Sequence, residues 1–301
     1  MISNKIICLK CNSEDTKKDG QRKTENRGLI QRYKCRVCSH RFTLDDGFKR
    51  MRNHPKKITC AVDLFYRGVS TRKVQEHFQA FYPHNSSHKS IYKWIIKYSK
   101  MISGFTDNLK LKVGKEIQTD EMQYSRRKNH FRKGVDTNWF IDAIDTETRF
   151  MVASEYVKHR EQANLKRVLR KAKSKTENQI KIITTDGLPA YARAVKSQFG
   201  YHRFQRKEVV HNVLNISAGD GFNIMIERLH NNIRQRTKTF RGFHGSVESA
   251  NAIMRGWEIY YNFITKHQSL NKCPYELATD LKLNSENKWL ELIQLSKKHK
   301  I

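Results

Sequence analysis

The chain has 301 residues, with 59 Lys or Arg against 29 Asp or Glu, which gives a formal net charge of +30 at pH 7. This positive charge is spread along the chain and favours DNA or RNA as partner, because each neutralised phosphate releases condensed counterions. No apolar run approaches the roughly 18 residues of a membrane span, and the N-terminus lacks a signal-peptide core, so we expect a cytoplasmic protein.

Four of the six cysteines form two Cys-x-x-Cys pairs near the N-terminus: Cys8, Cys11, Cys35 and Cys38. Pairs at this spacing can place four thiolates around one tetrahedral ion, so residues 1–47 are predicted to form a zinc ribbon with a structural Zn²⁺. Two disulfides are the alternative, and they would require an oxidising compartment. His40 is either a substitute ligand or a residue that faces DNA.

Residues 55–105 have the pattern of three short helices. Gly68 suits the end of the first helix, Ser70 caps the second, and Ser86 or Ser87 opens the third. This arrangement predicts a helix-turn-helix whose last helix enters the major groove, although plain packing helices are the alternative. The residues nearest DNA would then be Ser87, His88, Lys89 and Lys93.

From about residue 112 the pattern changes to strands with intervening helices. Strands are predicted at 115–123, 139–144, 150–157 and 180–185, with a helix at 163–172 before the fourth strand and a short fifth strand near 201–204. Three antiparallel strands, a helix, a strand and further helices are typical of a ribonuclease-H-like α/β fold, with a mixed sheet flanked by helices. We assign it residues 112–280, and residues 281–301 to a C-terminal helix and basic tail.

Three acids occupy the places that converge in this fold. Asp120 closes the first strand, Asp186 closes the fourth, and Glu227 stands alone among basic residues on a later helix. Such a triad suits divalent metal, because hard cations prefer carboxylate oxygen. The neighbouring Glu121 leaves the choice of the first ligand open.

Other acids compete with this triad. Asp142 lies on the second predicted strand, and Asp145 is explained as a turn residue after it.

The chain resembles the DDE transposases of prokaryotic insertion sequences, which share this fold with retroviral integrases. It looks most similar to insertion-sequence family six and its archaeal relatives with an N-terminal zinc ribbon. The resemblance is carried by Asn223-x-x-Ile226-Glu227-Arg228-x-His230, Ile233 to Lys238, Arg241-Gly-Phe243, Thr184-Thr-Asp186-Gly187 and His267 to Leu270. Cys273-Pro274 departs from the usual Thr-Pro.

The resemblance implies Mg²⁺-dependent or Mn²⁺-dependent cleavage at the element ends, followed by transfer of the freed 3′-hydroxyl into target DNA. Asp120 would bridge two metal ions, with Asp186 on one ion and Glu227 on the other. Residues implied to hold phosphates or the target strand are Arg228, His230, Arg234 and Arg236, whose alternative is a solvated basic helix face. The implied partners are the terminal inverted repeats, target DNA and a second subunit in a homodimer or larger oligomer.

Two other functions fit parts of the pattern. A domesticated relative could act as a ribbon and helix-turn-helix DNA-binding regulator without catalysis. A structure-selective nuclease would use the same acids but would cut branched DNA without needing terminal repeats.

Overall fold

The computed structural model describes residues 6–25, 27–82, 86–127, 135–177, 179–200, 209–214, 223–238 and 243–298. Along the chain, a small antiparallel sheet is followed by three helices and then by a mixed sheet flanked by helices. Within these ranges, no helix combines the length and the apolar character needed to cross a membrane.

The N-terminal sheet contains β1 (Thr16–Thr24), β2 (Gly28–Cys35) and β3 (Arg41–Thr43), paired antiparallel in that order. Among its described residues, the core of buried apolar side chains is limited to Cys8, Cys35 and Phe42. So small a core stabilises little by itself, because a domain of this length buries a small share of its surface.

The three helices that follow are α1 (Pro55–Tyr66), α2 (Thr71–Phe81) and α3 (His88–Thr106). As predicted, Ser70 and Ser87 cap the last two: each hydroxyl accepts a hydrogen bond from the backbone N–H three residues on, at 3.3 and 3.2 Å. Gly68 has φ +113° in the turn after α1, a conformation that favours glycine. α1 begins at Pro55, the first residue of the predicted module, because proline suits the first helical position.

The larger sheet contains β4 (Glu116–Arg127), β5 (Val135–Asp145), β6 (Met151–Val157), β7 (Ile182–Thr185), β8 (Val210–Val213) and β9 (Phe243–His244). The strand order is β6-β5-β4-β7-β8, with β9 beside the far end of β4. The first three strands are antiparallel, and β4, β7 and β8 are parallel. This order confirms the predicted ribonuclease-H-like fold. The strand predicted at 201–204 lies outside the described residues, and β8 is the strand beside β7.

The helices of this part are α4 (Gln162–Thr176), α5 (Pro189–Phe199), α6 (Ile224–Thr237), α7 (Val247–Ile259), α8 (Tyr275–Ala278) and α9 (Lys288–Lys298), with a π-helical segment at Tyr260–Ile264. α4 and α5 pack together on one face of the sheet, while α6 and α7 contact the other. Both faces of the sheet are therefore covered, and its strands carry long apolar runs.

One apolar core joins the three helices α1, α2 and α3 to the larger sheet. α7 approaches these helices closely at Gly256, where a Cβ atom would lie 1.9 Å from the hydroxyl of Tyr66 and 2.2 Å from that of Ser99. Nearby, the buried Arg255 guanidinium pairs with Glu258 and with Asp107 at the end of α3. The helical module and the larger sheet are thus joined by both apolar and ionic contacts.

The last helix of the chain returns to the first one. In α9, Trp289 donates its indole N–H to Asp63 of α1 at 3.1 Å, and its ring stacks on Tyr66 with centroids 5.5 Å apart. Leu292 and Ile293 of the same helix are buried in the shared core. The C-terminal helix is therefore an integral part of the helical module.

Candidate active site

Two of the predicted acids meet at one edge of the larger sheet. Gln118 of β4 pairs with Thr184 of β7 in parallel register. Asp120 lies two residues after Gln118 on β4, and Asp186 lies two residues after Thr184, directly beyond the end of β7. Carboxylate oxygens of Asp120, Asp186 and Glu121 all lie within 4.8 Å of one another. The parallel register of β4 and β7 therefore brings together two side chains that are 66 positions apart in the sequence.

Glu121 already has partners for both of its carboxylate oxygens. Arg160 donates to one at 2.9 Å, and the hydroxyl of Tyr191 on α5 donates to the other at 2.8 Å. The side chain is 2% exposed, and Arg160 itself lies over the ring of Trp139 at 4.3 Å. Glu121 therefore lies on the α5 face of the sheet, in the hydrogen-bonded setting that a buried charge requires.

Asp186 combines a turn role with a free ligand position. Its Oδ1 accepts the backbone N–H of Leu188 at 3.0 Å, which fixes the turn between β7 and α5. A carboxylate can accept several bonds, so this contact leaves its other oxygen able to bind a cation.

The helix that carries Glu227 is anchored directly to β4. The side chain of Asn223 makes no cap bond, and instead Gln118 accepts the backbone N–H groups of Met225 at 3.1 Å and Ile226 at 3.2 Å. Glu227 is in the first turn of this helix, and the helix is attached to β4 at Gln118, two residues before Asp120. Its carboxylate is outside the group of oxygens within 4.8 Å of one another, so the structure brings together two of the three predicted acids.

A buried histidine of α6 contacts two acids that lie on the same face of the sheet. His230 Nε2 lies 2.8 Å from Asp142 Oδ1, and His230 Nδ1 lies 3.6 Å from Asp120 Oδ2. Asp142 is fully buried and is the cross-strand partner of Asp120. His230 is only 3% exposed, so the structure places it among carboxylates rather than on the surface, where a DNA contact would need it.

The buried setting changes the ionisation of these groups. Burial raises the pKa of Asp120 to about 7, against the opposing effect of His230. Burial lowers the pKa of His230, but the charge and hydrogen bond of Asp142 outweigh this effect and raise it above its ordinary value. A bound cation would favour the charged form of Asp120, since it would replace the missing solvation.

The other predicted DNA contacts divide by exposure. Ser87, Lys89 and Lys93 are exposed near the start of α3, while His88 is half-buried beside Gln75. On α6, Arg228 and Arg234 are exposed, but Arg236 is 7% exposed and lies over the ring of Phe65 at 4.5 Å. Burial thus separates Arg236 and His230 from the surface residues.

The four N-terminal sulfurs form a second cluster, again within 4.8 Å of one another: Cys8, Cys11, Cys35 and Cys38. The Cys8–Cys38 and Cys11–Cys35 sulfur pairs are both 3.6 Å apart, close to the roughly 3.8 Å edge of a tetrahedron with Zn–S bonds of about 2.3 Å. A disulfide needs about 2.05 Å, and all four thiols are free, which contradicts the disulfide alternative. His40 stacks on Phe42 instead of joining the cluster.

The supporting roles of Gln118 and Asp142 are not predicted from the sequence, in which Asp142 is only a competing acid. Both point toward α6, because residues two apart on a strand share a face and Asp142 lies opposite Asp120. The available signal was the polar Asp142 between the apolar Ile141 and Ala143 on a buried strand.

A comparison with protein-family models supports the same assignment. Residues 136–268 match the model of a DDE domain, of the IS240 transposase type, and this range includes Asp186 and Glu227 but begins after Asp120. A search of curated proteins finds no match. Together with the strand order of the sheet, the match confirms the resemblance noted in the sequence: residues 136–268 are similar to the DDE domains of insertion-sequence transposases of the family-six type.

Proposed function

We propose that the protein is a DNA transposase that cleaves the ends of its own insertion sequence and transfers the freed 3′-hydroxyl into target DNA. The observation that carries this proposal is the meeting of Asp120 and Asp186 at one edge of the ribonuclease-H-like sheet. The family match over residues 136–268 supports transposase-type activity in general.

The donor set of this edge fits Mg²⁺ or Mn²⁺, which prefer carboxylate oxygen. Asp120 and Asp186 have oxygens close enough to share a cation, whereas Glu121 is held by Arg160 and Tyr191. We therefore assign Glu121 a positioning role and propose Glu227 as the third ligand, reached from the first turn of α6.

When bound, a pair of such cations activates the attacking oxygen and neutralises charge on the leaving oxygen. The protein then has to position its ligands and its substrate. The imidazole of His230 holds Asp120 from the α6 side, and the exposed Arg228 and Arg234 on the same helix bind phosphates beside the acids.

The N-terminal modules would select the DNA. We propose that the four cysteines hold a structural Zn²⁺, and that Ser87, Lys89 and Lys93 contact DNA from the exposed start of α3. Because two element ends must be joined in one reaction, we propose that the active species is a homodimer or a larger oligomer.

The test uses a plasmid that carries the element's terminal repeats, incubated with protein and Mg²⁺. The wild-type protein should produce cut ends and strand-transfer products, and Asp186→Asn should reduce both to background while retaining repeat binding. Asp280→Asn is the matched control, because Asp280 is 82% exposed and pairs with Lys112 at the surface.

Other outcomes identify the alternatives. Repeat binding without any cutting by the wild-type protein would support the non-catalytic regulator. Equal cutting of branched DNA without repeats would support the structure-selective nuclease. Either result would overturn the transposase proposal.

The ligand assignment has its own test. Glu227→Gln should weaken Mn²⁺ binding, measured by calorimetry with DNA present, as strongly as Asp186→Asn does. Glu121→Gln should have a smaller effect, because Glu121 is held by Arg160 and Tyr191 and would act on the metal only through its neighbours. If Glu121→Gln weakens Mn²⁺ binding more than Glu227→Gln does, Glu121 is the ligand and Glu227 is not.

A further inference from the structure

A cleft of about 830 Å³ opens along the side of α6 that carries Arg228, Asn231, Asn232 and Gln235. It lies between α6, the turn that follows α1 and the π-helical segment at Tyr260–Ile264, together with residues 265–269. This volume is within the roughly 300–1,000 Å³ typical of ligand pockets.

The cleft is strongly cationic. Four of its lining side chains carry positive charge, and none of the described residues that line it is acidic: the cations are Arg67, Arg228, Arg236 and Lys266. Arg67, Arg228 and Lys266 are exposed. Arg67 Nε donates to Asp63 at 2.6 Å, but a guanidinium has further N–H donors that can bind an anionic ligand. A phosphodiester backbone is the anion that suits several separate cations in one groove.

The floor of the cleft is aromatic. Trp257 and Tyr261 stack with ring centroids 5.3 Å apart, and the half-exposed Tyr260 lies at the edge of this group. The Arg67 guanidinium lies 6.0 Å from the centre of the Tyr260 ring. An aromatic ring beside a cation is the pair of features that holds single nucleotides, because the base stacks while the phosphate is neutralised.

The wall formed by α6 carries amides. Asn231, Asn232 and Gln235 are exposed and line the cleft from successive turns of the helix. An amide both donates and accepts hydrogen bonds, so it can pair with the edge of an unstacked base. Lysine-rich grooves that bind duplex phosphates do not need such groups.

The backbone of the floor is itself unusual. The helix that begins as α7 widens into a π-helical segment at Tyr260–Ile264, and the N–H of Thr265 bonds to the carbonyl of Tyr260 at 3.0 Å. π-helical turns are rare and occur frequently at functional sites. Here the wider turn sets Tyr260 and Tyr261 into the lining of the cleft.

We propose that this cleft binds a short unpaired stretch of a DNA strand. Arg67, Arg228 and Lys266 hold the phosphates, Tyr260 stacks on a base, and the amides of α6 contact base edges. A paired base would be unable to enter, since its faces and its Watson–Crick edge are occupied in the duplex. This inference rests on the proposed function only in taking DNA as the partner.

The experiment measures binding of a labelled short oligothymidylate, and of a duplex of the same length, by fluorescence anisotropy in EDTA. Gln235→Glu adds a negative charge to the cleft, and Lys266→Ala removes a positive one, both at exposed positions. The matched controls are Gln294→Glu on α9 and Lys282→Ala, which are also exposed and lie outside the cleft lining.

Each cleft variant should weaken single-strand binding by about fivefold or more, and Lys266→Ala should lower the slope of log K against log salt by about 0.7. The controls should change single-strand binding little, and duplex binding should be less affected. Equal losses in the control variants, or equal losses for the duplex, would overturn the proposal. So would displacement of the oligonucleotide by polyglutamate at the same charge concentration.

Because EDTA prevents metal-dependent cutting, this measurement is independent of catalysis. If the wild-type protein never cuts its repeats but the cleft variants lose single-strand binding, the cleft proposal stands and the transposase proposal fails. If the wild-type protein cuts normally but the cleft variants bind single strands as well as it does, the transposase proposal stands and the cleft proposal fails.

Discussion

The N-terminal ribbon and the ribonuclease-H-like part hold their folds by different means. In the part of the ribbon that the structure describes, the core consists of Cys8, Cys35 and Phe42, and four sulfurs come together beside it. The larger sheet instead shares a continuous apolar core with the helices around it. A ligated metal concentrates stability in four side chains, while an apolar core spreads it over many. The two regions should therefore respond to different changes.

The largest effect is expected from Cys11→Ser. Because metal binding supplies about 10–16 kcal/mol in small zinc modules, loss of one thiolate should unfold the ribbon. Zinc content per chain, measured by mass spectrometry, should fall to near zero, while the main thermal transition of the larger core stays in place. A variant that keeps one zinc per chain would contradict the four-sulfur site.

In the larger core, Glu258→Gln should be destabilising by about 3–5 kcal/mol, since it leaves the buried Arg255 with less compensating charge. Glu155→Gln is the control: it breaks the more exposed pair with Arg167 and should cost no more than about 1 kcal/mol. Denaturant unfolding measures both. Equal effects would show that burial of the pair does not matter, and zinc content should change in neither variant.

The acid cluster predicts a pH dependence confined to the core. Asp120 has a folded pKa of about 7, above its ordinary value of 3.8, so its contribution is full below pH 3.8 and is lost as pH rises through 7. Asp120→Asn should therefore gain stability over the wild type across this interval, by up to about 4 kcal/mol. Unfolding in EDTA at several pH values measures the difference, and a constant difference would contradict the buried setting.

The smallest effect expected is that of Gly256→Ala. Its Cβ would collide with the hydroxyls of Tyr66 and Ser99, so α7 must move away from α1 and α3, at a cost of about 1–3 kcal/mol. Gly104→Ala, in α3, is the control because its Cβ would meet open space. A lower melting temperature for the Gly104 variant than for the Gly256 variant would show that the close approach is tolerated.

Much of the fold could be predicted because its signals are local. The capping serines Ser70 and Ser87, the strand that ends before Asp186 and the two cysteine pairs all depend on residues within a few positions of one another. Where the bounds of a predicted element differ, the difference is a few residues: the strand predicted at 115–123 is β4, which runs from Glu116 to Arg127.

The site depended on contacts that local patterns do not contain. The family resemblance implies that His230 holds phosphates or the target strand, but its neighbours are set by how α6 docks on β4 and β5. That docking is fixed by Gln118, more than 100 positions earlier in the sequence. Arg236 is buried for a similar reason, since Phe65 of α1 lies beneath it.

The return of α9 to α1 has a consequence for biosynthesis. Trp289, Leu292 and Ile293 cover Tyr66 and the surrounding core of the first helices, and they are synthesised more than 200 residues after it. The helices α1 to α3 therefore cannot reach their final packing until α9 has been made, whereas the four cysteines ahead of them can meet much earlier. In a nascent chain the cysteine cluster can form well before the helical module is complete.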